Sequence, residues 1–203
     1  MIYLPLAWMY QPVKVLVGLL AGTERRYNGA ASLQMRFEQH YRGGGQPSRT
    51  ESGLLFLKKP GRMRWEYRHP EGKLFVSDGK VVWFYSPAMN QVEKSALKMS
   101  EDVRAPLAFL MGRLDFSRDF GNFRADFDGE NSHVVAVPKS GRSPYREVEF
   151  WISAGYELKE IRVVGQDGGT MEFRFSEERL GGAVKEELFR FRVPAGAEVV
   201  VRE

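Results

Sequence analysis

The side chains able to do chemistry in this chain are scattered along it. His40, His69 and His133 lie far apart, without the short spacing that metal-ligating histidines need, and each reads as a surface or turn histidine. No Gly-x-Ser-x-Gly elbow, phosphate loop or dinucleotide fingerprint occurs. The run Asp126-Phe127-Asp128-Gly129-Glu130-Asn131 has acids like those of a calcium loop, but it lacks the terminal bidentate glutamate and Phe127 continues a strand pattern, so a tight turn explains it better. Cysteine is absent, which excludes disulfides and thiolate metal sites. These residues lead us to expect no enzyme activity, no metal and no cofactor.

The basic series Arg62, Arg64 and Arg68 interleaves with Met63, Trp65 and Tyr67, a mixture that a single-stranded nucleic acid surface also uses. Alternation is the simpler account: one face of a strand is apolar and the other charged, with Glu66 among the arginines. The balance of 30 Lys+Arg against 26 Asp+Glu, a surplus of four, also argues against a nucleic acid partner.

What stands out instead is the run from Gly53 to Tyr67 and on through Val76 to Tyr85, which reads as successive short strands with large apolar side chains on one face. Phe37, Phe56, Met63, Trp65, Phe75, Trp83, Tyr85, Phe109, Met111, Phe150, Phe173, Phe189 and Phe191 are either an ordinary core or the wall of a greasy container. Two features favour the container. The strands are many for a thin sandwich, and an apolar insert looks like a lid; barrels closed by helices often hold ligands.

The elements follow from periodicity. Val13, Leu16, Val17, Leu20, Tyr27 and Ala31 recur at helical spacing, and Pro12 suits a first turn, so an amphipathic helix is expected from Pro12 to about Ala30. From Leu33 the period becomes two, with Leu33, Met35, Phe37, Gln39 and Tyr41 on one face of a strand. Gly43-Gly44-Gly45-Gln46-Pro47 is a flexible turn, and Asp78-Gly79 between apolar runs signals a type I′ hairpin. Further strands are expected near 84–85, 89–94, 121–127, 132–138, 145–152, 158–165, 169–176 and 184–193. Residues 100–115 break the rhythm: Pro106, Leu107, Phe109, Leu110 and Met111, ended by Gly112, make a short and very apolar helix. The apolar stretch from Ile2 to Tyr10 is too short to span a bilayer, and residues 1–11 read as an extension or signal-peptide remnant before a single domain over 12–203.

In order and spacing the chain resembles the LolA family of periplasmic outer-membrane lipoprotein carriers. The matching pieces are Leu57-Lys58-Lys59-Pro60 followed by Arg64-Trp65, then Ser77-Asp78-Gly79-Lys80 with Trp83-Phe84-Tyr85-Ser86-Pro87, Gln91-Val92, and the Pro106 to Met111 helix. Phe37-x-Gln39 and Phe189-x-Phe191-x-Val193-Pro194-x-Gly196 extend the similarity over about residues 13 to 200. The resemblance implies a mainly β fold: an incomplete, strongly curved antiparallel β-barrel of about eleven strands, with an N-terminal helix and short lid helices. It implies a monomeric periplasmic carrier whose cavity takes lipoprotein acyl chains. The implied partners are an inner-membrane ABC-type lipoprotein-release complex and an outer-membrane lipoprotein receptor. The family's basic latch before the proline falls at Lys59, and lysine is a point donor without arginine's planar fork.

The expected cavity wall is Phe37, Met63, Trp65, Phe75 and Trp83, the lid Leu107, Phe109, Leu110 and Met111, and the latch Lys59. A one-residue slip in register would turn any of these strands inside out. The physics suits a carrier: burying an acyl chain of about sixteen carbons is worth roughly 12 kcal/mol, so a lipid-anchored protein does not cross water unaided. Competing readings are a related barrel for another lipid or hydrophobic small molecule, and a sensor or scaffold with a filled barrel.

Overall fold

The structure, a computed structural model, describes residues 10–45, 47–97, 114–127, 129–141 and 143–202. Helix α1 (Tyr10–Asn28) leads into β1 (Ser32–Arg42), β2 (Arg49–Lys58), β3 (Arg62–His69), β4 (Leu74–Asp78), β5 (Val81–Ser86) and β6 (Gln91–Ala96). The short α2 (Phe116–Asp119) precedes β7 (Phe120–Asp126), β8 (Ser132–Pro138), β9 (Tyr145–Ile152), β10 (Leu158–Gly165), β11 (Thr170–Leu180) and β12 (Glu198–Arg202). The twelve strands among the described residues form one open sheet in the order β12-β6-β5-β4-β3-β2-β1-β11-β10-β9-β8-β7. Neighbours are antiparallel except β12, which runs parallel to β6.

The sheet curls around one face. In a flat sheet β3 and β11 would stand three strand spacings apart, about 14 Å. Yet the Trp65 and Phe173 ring centroids, one on each, are 5.7 Å apart. Phe37 of β1 reaches Trp65 across an intervening strand at 4.6 Å. Gly53 makes the bend possible. It pairs with both Phe37 and Tyr67, a register shift adjoins it, and a Cβ there would collide with the Glu66 carbonyl and the Tyr67 Cα.

Alternation sorts each strand. In β3, Met63, Trp65 and Tyr67 are buried inward while Arg62, Arg64 and Glu66 line the outer face, as the sequence predicts. In β1, Leu33, Met35, Phe37 and Gln39 are buried. The inner faces of β1 to β5 and β7 to β11, together with Leu19 and Tyr27 of α1 and with Leu114 and Phe116, form one hydrophobic cluster.

Three expectations are corrected. The helix seam is Leu16, Leu19, Leu20, Thr23 and Tyr27, whereas Val13 and Val17 are exposed; a valine-rich segment is apolar on several sides and periodicity cannot choose among them. The β4–β5 turn is centred on Gly79-Lys80, with positive φ at Gly79 alone (98°), the pattern of type II′ and not I′; the Asp78 carboxylate accepts from the Lys80 and Val81 amides. The strand expected over 184–193 is a single 3-10 turn, Glu186–Phe189, within a strap across the outer face. The fold is the expected open, curved and mainly antiparallel sheet: its final strand is β12, the strands among the described residues number twelve where about eleven are expected, and all but one pairing is antiparallel.

Candidate ligand-binding face

Phe37, Met63, Trp65 and Phe75 come together on the inner face. Trp65 pairs with Phe75 across β3–β4, and its indole N–H donates to the Met63 sulfur at 2.7 Å. Phe75 in turn pairs with Phe84 on β5. Trp83, the neighbour of Phe84, is thereby on the outer face. It pairs with Val76, and its ring stacks on Phe191 of the C-terminal strap at 5.9 Å and 16°. The structure therefore does not bring Trp83 together with the other four wall candidates. Its apolar neighbours on both sides in sequence hide which face it takes, because Val81-Val82-Trp83-Phe84-Tyr85 has no polar alternation.

The strap explains that unbroken run. Val76 and Val92, on the outer face, are fully buried, and Val184 and Phe189 of the strap are buried too. Glu186 accepts from Lys58 and Arg62, whose hydrogen bonds hold its carboxyl below the usual carboxylate range, and the Arg64 guanidinium donates to the Leu188 carbonyl at 3.2 Å. This half of the sheet is apolar on both faces.

One end of the inner face is closed by α1. Lys59 donates to the carbonyls of Tyr27 at 2.7 Å and Asn28 at 3.2 Å, at the C-terminal end of the helix, where a cation also complements the helix dipole. Partial burial lowers the Lys59 pKa. A void of about 10 Å³ lies beside it among Tyr27, Ser32, Leu33, Leu57 and Leu180. The Tyr27 hydroxyl donates to Glu178 at 2.5 Å and accepts from the Leu158 amide at 2.9 Å. Burial, then the Glu178 carboxylate, push the Tyr27 phenol well above its ordinary pKa. Arg26 donates to Glu178 at 2.6 Å and to Glu157 at 3.1 Å. Gly22 sits under the Tyr156 ring, which a Cβ would overlap.

The same helix holds the start of the segment leading to β7. The Asn28 side chain exchanges two hydrogen bonds with the Leu114 backbone, at 2.7 and 2.8 Å, and Glu24 accepts from the Phe116 amide at 2.8 Å. Thus Lys59 hydrogen-bonds the end of α1, and α1 hydrogen-bonds the Leu114 and Phe116 backbone. The lid candidates Leu107, Phe109, Leu110 and Met111 lie outside the described residues.

The other end of the inner face is polar. Gln39, fully buried, donates to the Tyr41 hydroxyl at 2.5 Å and accepts from the Tyr67 hydroxyl at 3.2 Å. Lys73 donates to the buried Glu51 at 2.5 Å with its ammonium 4.4 Å from the Tyr67 ring centre, and Arg49 stacks 3.7 Å over Tyr41. Sequence reasoning placed Gln39 and Tyr67 on the right faces but missed their pairing, which needs the β1–β2–β3 register. The grip of Asn28 and Glu24 was missed as well; its one sequence signal was an Asn near the expected helix end.

His40 and His133 stand in separate surroundings. His40 lies between Thr50 and Glu38, and His133 stacks on Trp151 at 4.3 Å beside Glu149. Among the described residues no group of three His, Asp or Glu side chains could hold a metal ion. A depression of about 430 Å³ is lined by the charged Arg36, Glu38, Arg68 and Arg174 and by Phe37 and Phe175, and Arg36, Arg68 and Arg174 are ion-paired to Glu177, Glu66 and Glu172. Its arginines are charge-compensated. The apolar inner face, bounded by α1 at one end and the Gln39–Tyr67 cluster at the other, is the candidate site.

Comparison with known proteins agrees with this geometry. An outer-membrane lipoprotein carrier protein of Dechloromonas aromatica (strain RCB) is 32% identical over 172 residues, covering 83% of this chain and 81% of that relative. One from Nitrosomonas europaea is 29% identical over 190 residues, covering 93% and 92%. Among solved structures, an uncharacterized conserved protein from Thermus thermophilus shares the fold, with a TM-score of 0.56 at 14% identity over 92% of this chain and 99% of that one. The family model described as "Outer membrane lipoprotein carrier protein LolA" matches residues 28–192, and with it the chain belongs to the LolA family.

Proposed function

We propose that this chain is a periplasmic carrier that holds the acyl chains of lipoproteins against its inner face and ferries them from the inner to the outer membrane. In this reading it takes cargo from an inner-membrane ABC-type release complex and surrenders it to an outer-membrane receptor, by binding alone and without covalent chemistry. The carriage named for its relatives supports this. The observation that carries it is the continuous apolar surface of Phe37, Met63, Trp65, Phe75 and Phe173 beneath a helix whose end is held by the Lys59 hydrogen bonds.

The inner face is packed against itself, ring on ring. Self-packing hides apolar surface that would otherwise be exposed in the empty carrier. Loading then exchanges protein–protein contacts for protein–acyl contacts, so the net affinity is far smaller than the roughly 12 kcal/mol of a buried chain, which permits release. Met63 and Met171, unbranched and polarizable, can repack around chains of variable shape. Entry requires α1 to leave the mouth.

The test is a transfer assay. Inner-membrane vesicles holding a triacylated lipoprotein and its ABC release complex are incubated with the purified chain and ATP, and the lipoprotein recovered in a one-to-one complex with the chain is measured. An ATP-dependent complex supports the proposal. No complex, in an assay where an established carrier of the family does form one, refutes it and favours a filled-barrel scaffold.

A further inference from the structure

The apolar column of the inner face turns polar at one level. On β1 the inward residues run Leu33, Met35, Phe37 and then Gln39. On β2 they run Leu57, Leu55, Gly53 and then Glu51, which stands opposite Gln39 in the ladder. On β3 they run Met63, Trp65 and then Tyr67. Gln39, Glu51 and Tyr67 are all buried, so the change in chemistry happens inside the protein and not at its surface.

These side chains are joined to one another. Tyr67 donates to the Gln39 carbonyl at 3.2 Å, and the Gln39 amide donates to the Tyr41 hydroxyl at 2.5 Å and to the Met171 sulfur of β11 at 2.8 Å. Lys73 donates to Glu51 at 2.5 Å with its ammonium over the Tyr67 ring. The set therefore reaches from β3 through β2 and β1 to β11, the strands that carry the Trp65, Phe37 and Phe173 rings. Buried polar groups are stable only while paired, and an acyl methyl offers them no hydrogen bond in exchange. A hydrocarbon chain that runs down the column can displace the rings but not the polar set beneath them.

The depth of the column matches one acyl chain. At about 3.3 Å per residue, the six steps from Leu33 to Gln39 span about 20 Å. One leaflet, half of a bilayer hydrocarbon core of about 30 Å, accommodates a chain in about 15 Å. We propose that the Gln39–Tyr67–Glu51 set is a floor that fixes the acyl length the inner face accepts, at about sixteen carbons. The inference rests on the proposed acyl carriage and adds to it a length specificity, set by named residues at the end remote from Lys59.

The test is a length series: a water-soluble peptide bearing one N-terminal acyl chain, from about ten to about twenty carbons, titrated into the full chain by calorimetry. For the unaltered chain, affinity should rise by up to about fourfold per added methylene and level off near about sixteen carbons. Gln39→Met keeps the side chain's length and removes its polar end, and Tyr67→Phe removes only a hydroxyl. Each alone should soften the plateau, and together they should let longer chains continue to gain up to about fourfold per methylene. Thermal melts show that each variant is folded. A purely structural role would lower Tm and weaken all lengths alike without moving the plateau. Affinity that climbs without a break in the unaltered chain, or a plateau that both substitutions together leave in place, would overturn the floor while leaving acyl carriage standing. Absence of binding at every length would overturn the carriage reading and the floor with it.

Discussion

The Lys59 ammonium lies 2.7 Å from the Tyr27 carbonyl oxygen, tying the start of the β2–β3 connection to the last turn of the helix that closes the inner face. One flexible side chain thus holds the end of the helix that, in the proposed carrier, cargo would displace. Replacing it by alanine removes two donors from partly buried carbonyls and should cost about 1–2 kcal/mol, read as a lower Tm. Lys59→Arg should restore stability but slow cargo release, because a planar fork holds two carbonyls with less freedom than a point donor. Release kinetics to acceptor membranes would check this.

Tyr27 gives α1 an alkaline limit. Its phenol ionises near 10.0 when the chain is unfolded and at a higher pH when folded, so above pH 10 the folded state holds the extra proton. The stabilisation is therefore complete below about pH 10 and is lost as pH rises towards the folded value. Tyr27→Phe should flatten this alkaline fall in Tm. At neutral pH it should cost about 1–3 kcal/mol, since the Leu158 amide and one Glu178 oxygen lose their partner.

Gly53 should tolerate no side chain. The atoms a Cβ would strike are backbone, the Glu66 carbonyl oxygen and the Tyr67 Cα, and neither can swing aside. Gly53→Ala should destabilise the chain by about 1–3 kcal/mol. It should also open the 5.0 Å contact between Phe37 and Tyr67, visible as a change in near-ultraviolet circular dichroism.

Trp65 and Trp83 should separate by face. Trp65 is fully buried on the inner face, and Trp65→Ala should cost about 3–5 kcal/mol. Trp83 is half-buried against the strap, so Trp83→Ala should cost about 1 kcal/mol, loosening the Phe191 stack while leaving acyl binding intact. Equilibrium unfolding and lipoprotein binding of both variants would show it.

Much of this was legible in the sequence wherever a strand has one wet face. Leu33-x-Met35-x-Phe37-x-Gln39 and Met63-x-Trp65-x-Tyr67 alternate with charged residues, and the alternation fixed their faces correctly. It failed where both faces are dry. Trp83 and Phe84 are equally apolar neighbours, and only the ladder to Val76 and Phe75 tells them apart. The Phe189-x-Phe191 alternation marks an extended segment but not whether its backbone joins the sheet; here it packs on the sheet's face. Contacts distant in sequence, such as Lys59 to Tyr27 and Asn28 to Leu114, follow from topology that no local pattern encodes.

Residues 83 and 84 also permit the most direct test of acyl carriage by the inner face. They are adjacent, both half-buried and on opposite faces. A photoreactive benzoylphenylalanine is placed at Phe84 or at Trp83, the chain is loaded with a triacylated lipoprotein, and acyl-linked crosslinks are mapped by mass spectrometry. Strong labelling from position 84 and background labelling from position 83 is the result expected. Equal labelling from both, or labelling from position 83 alone, would contradict carriage by the inner face.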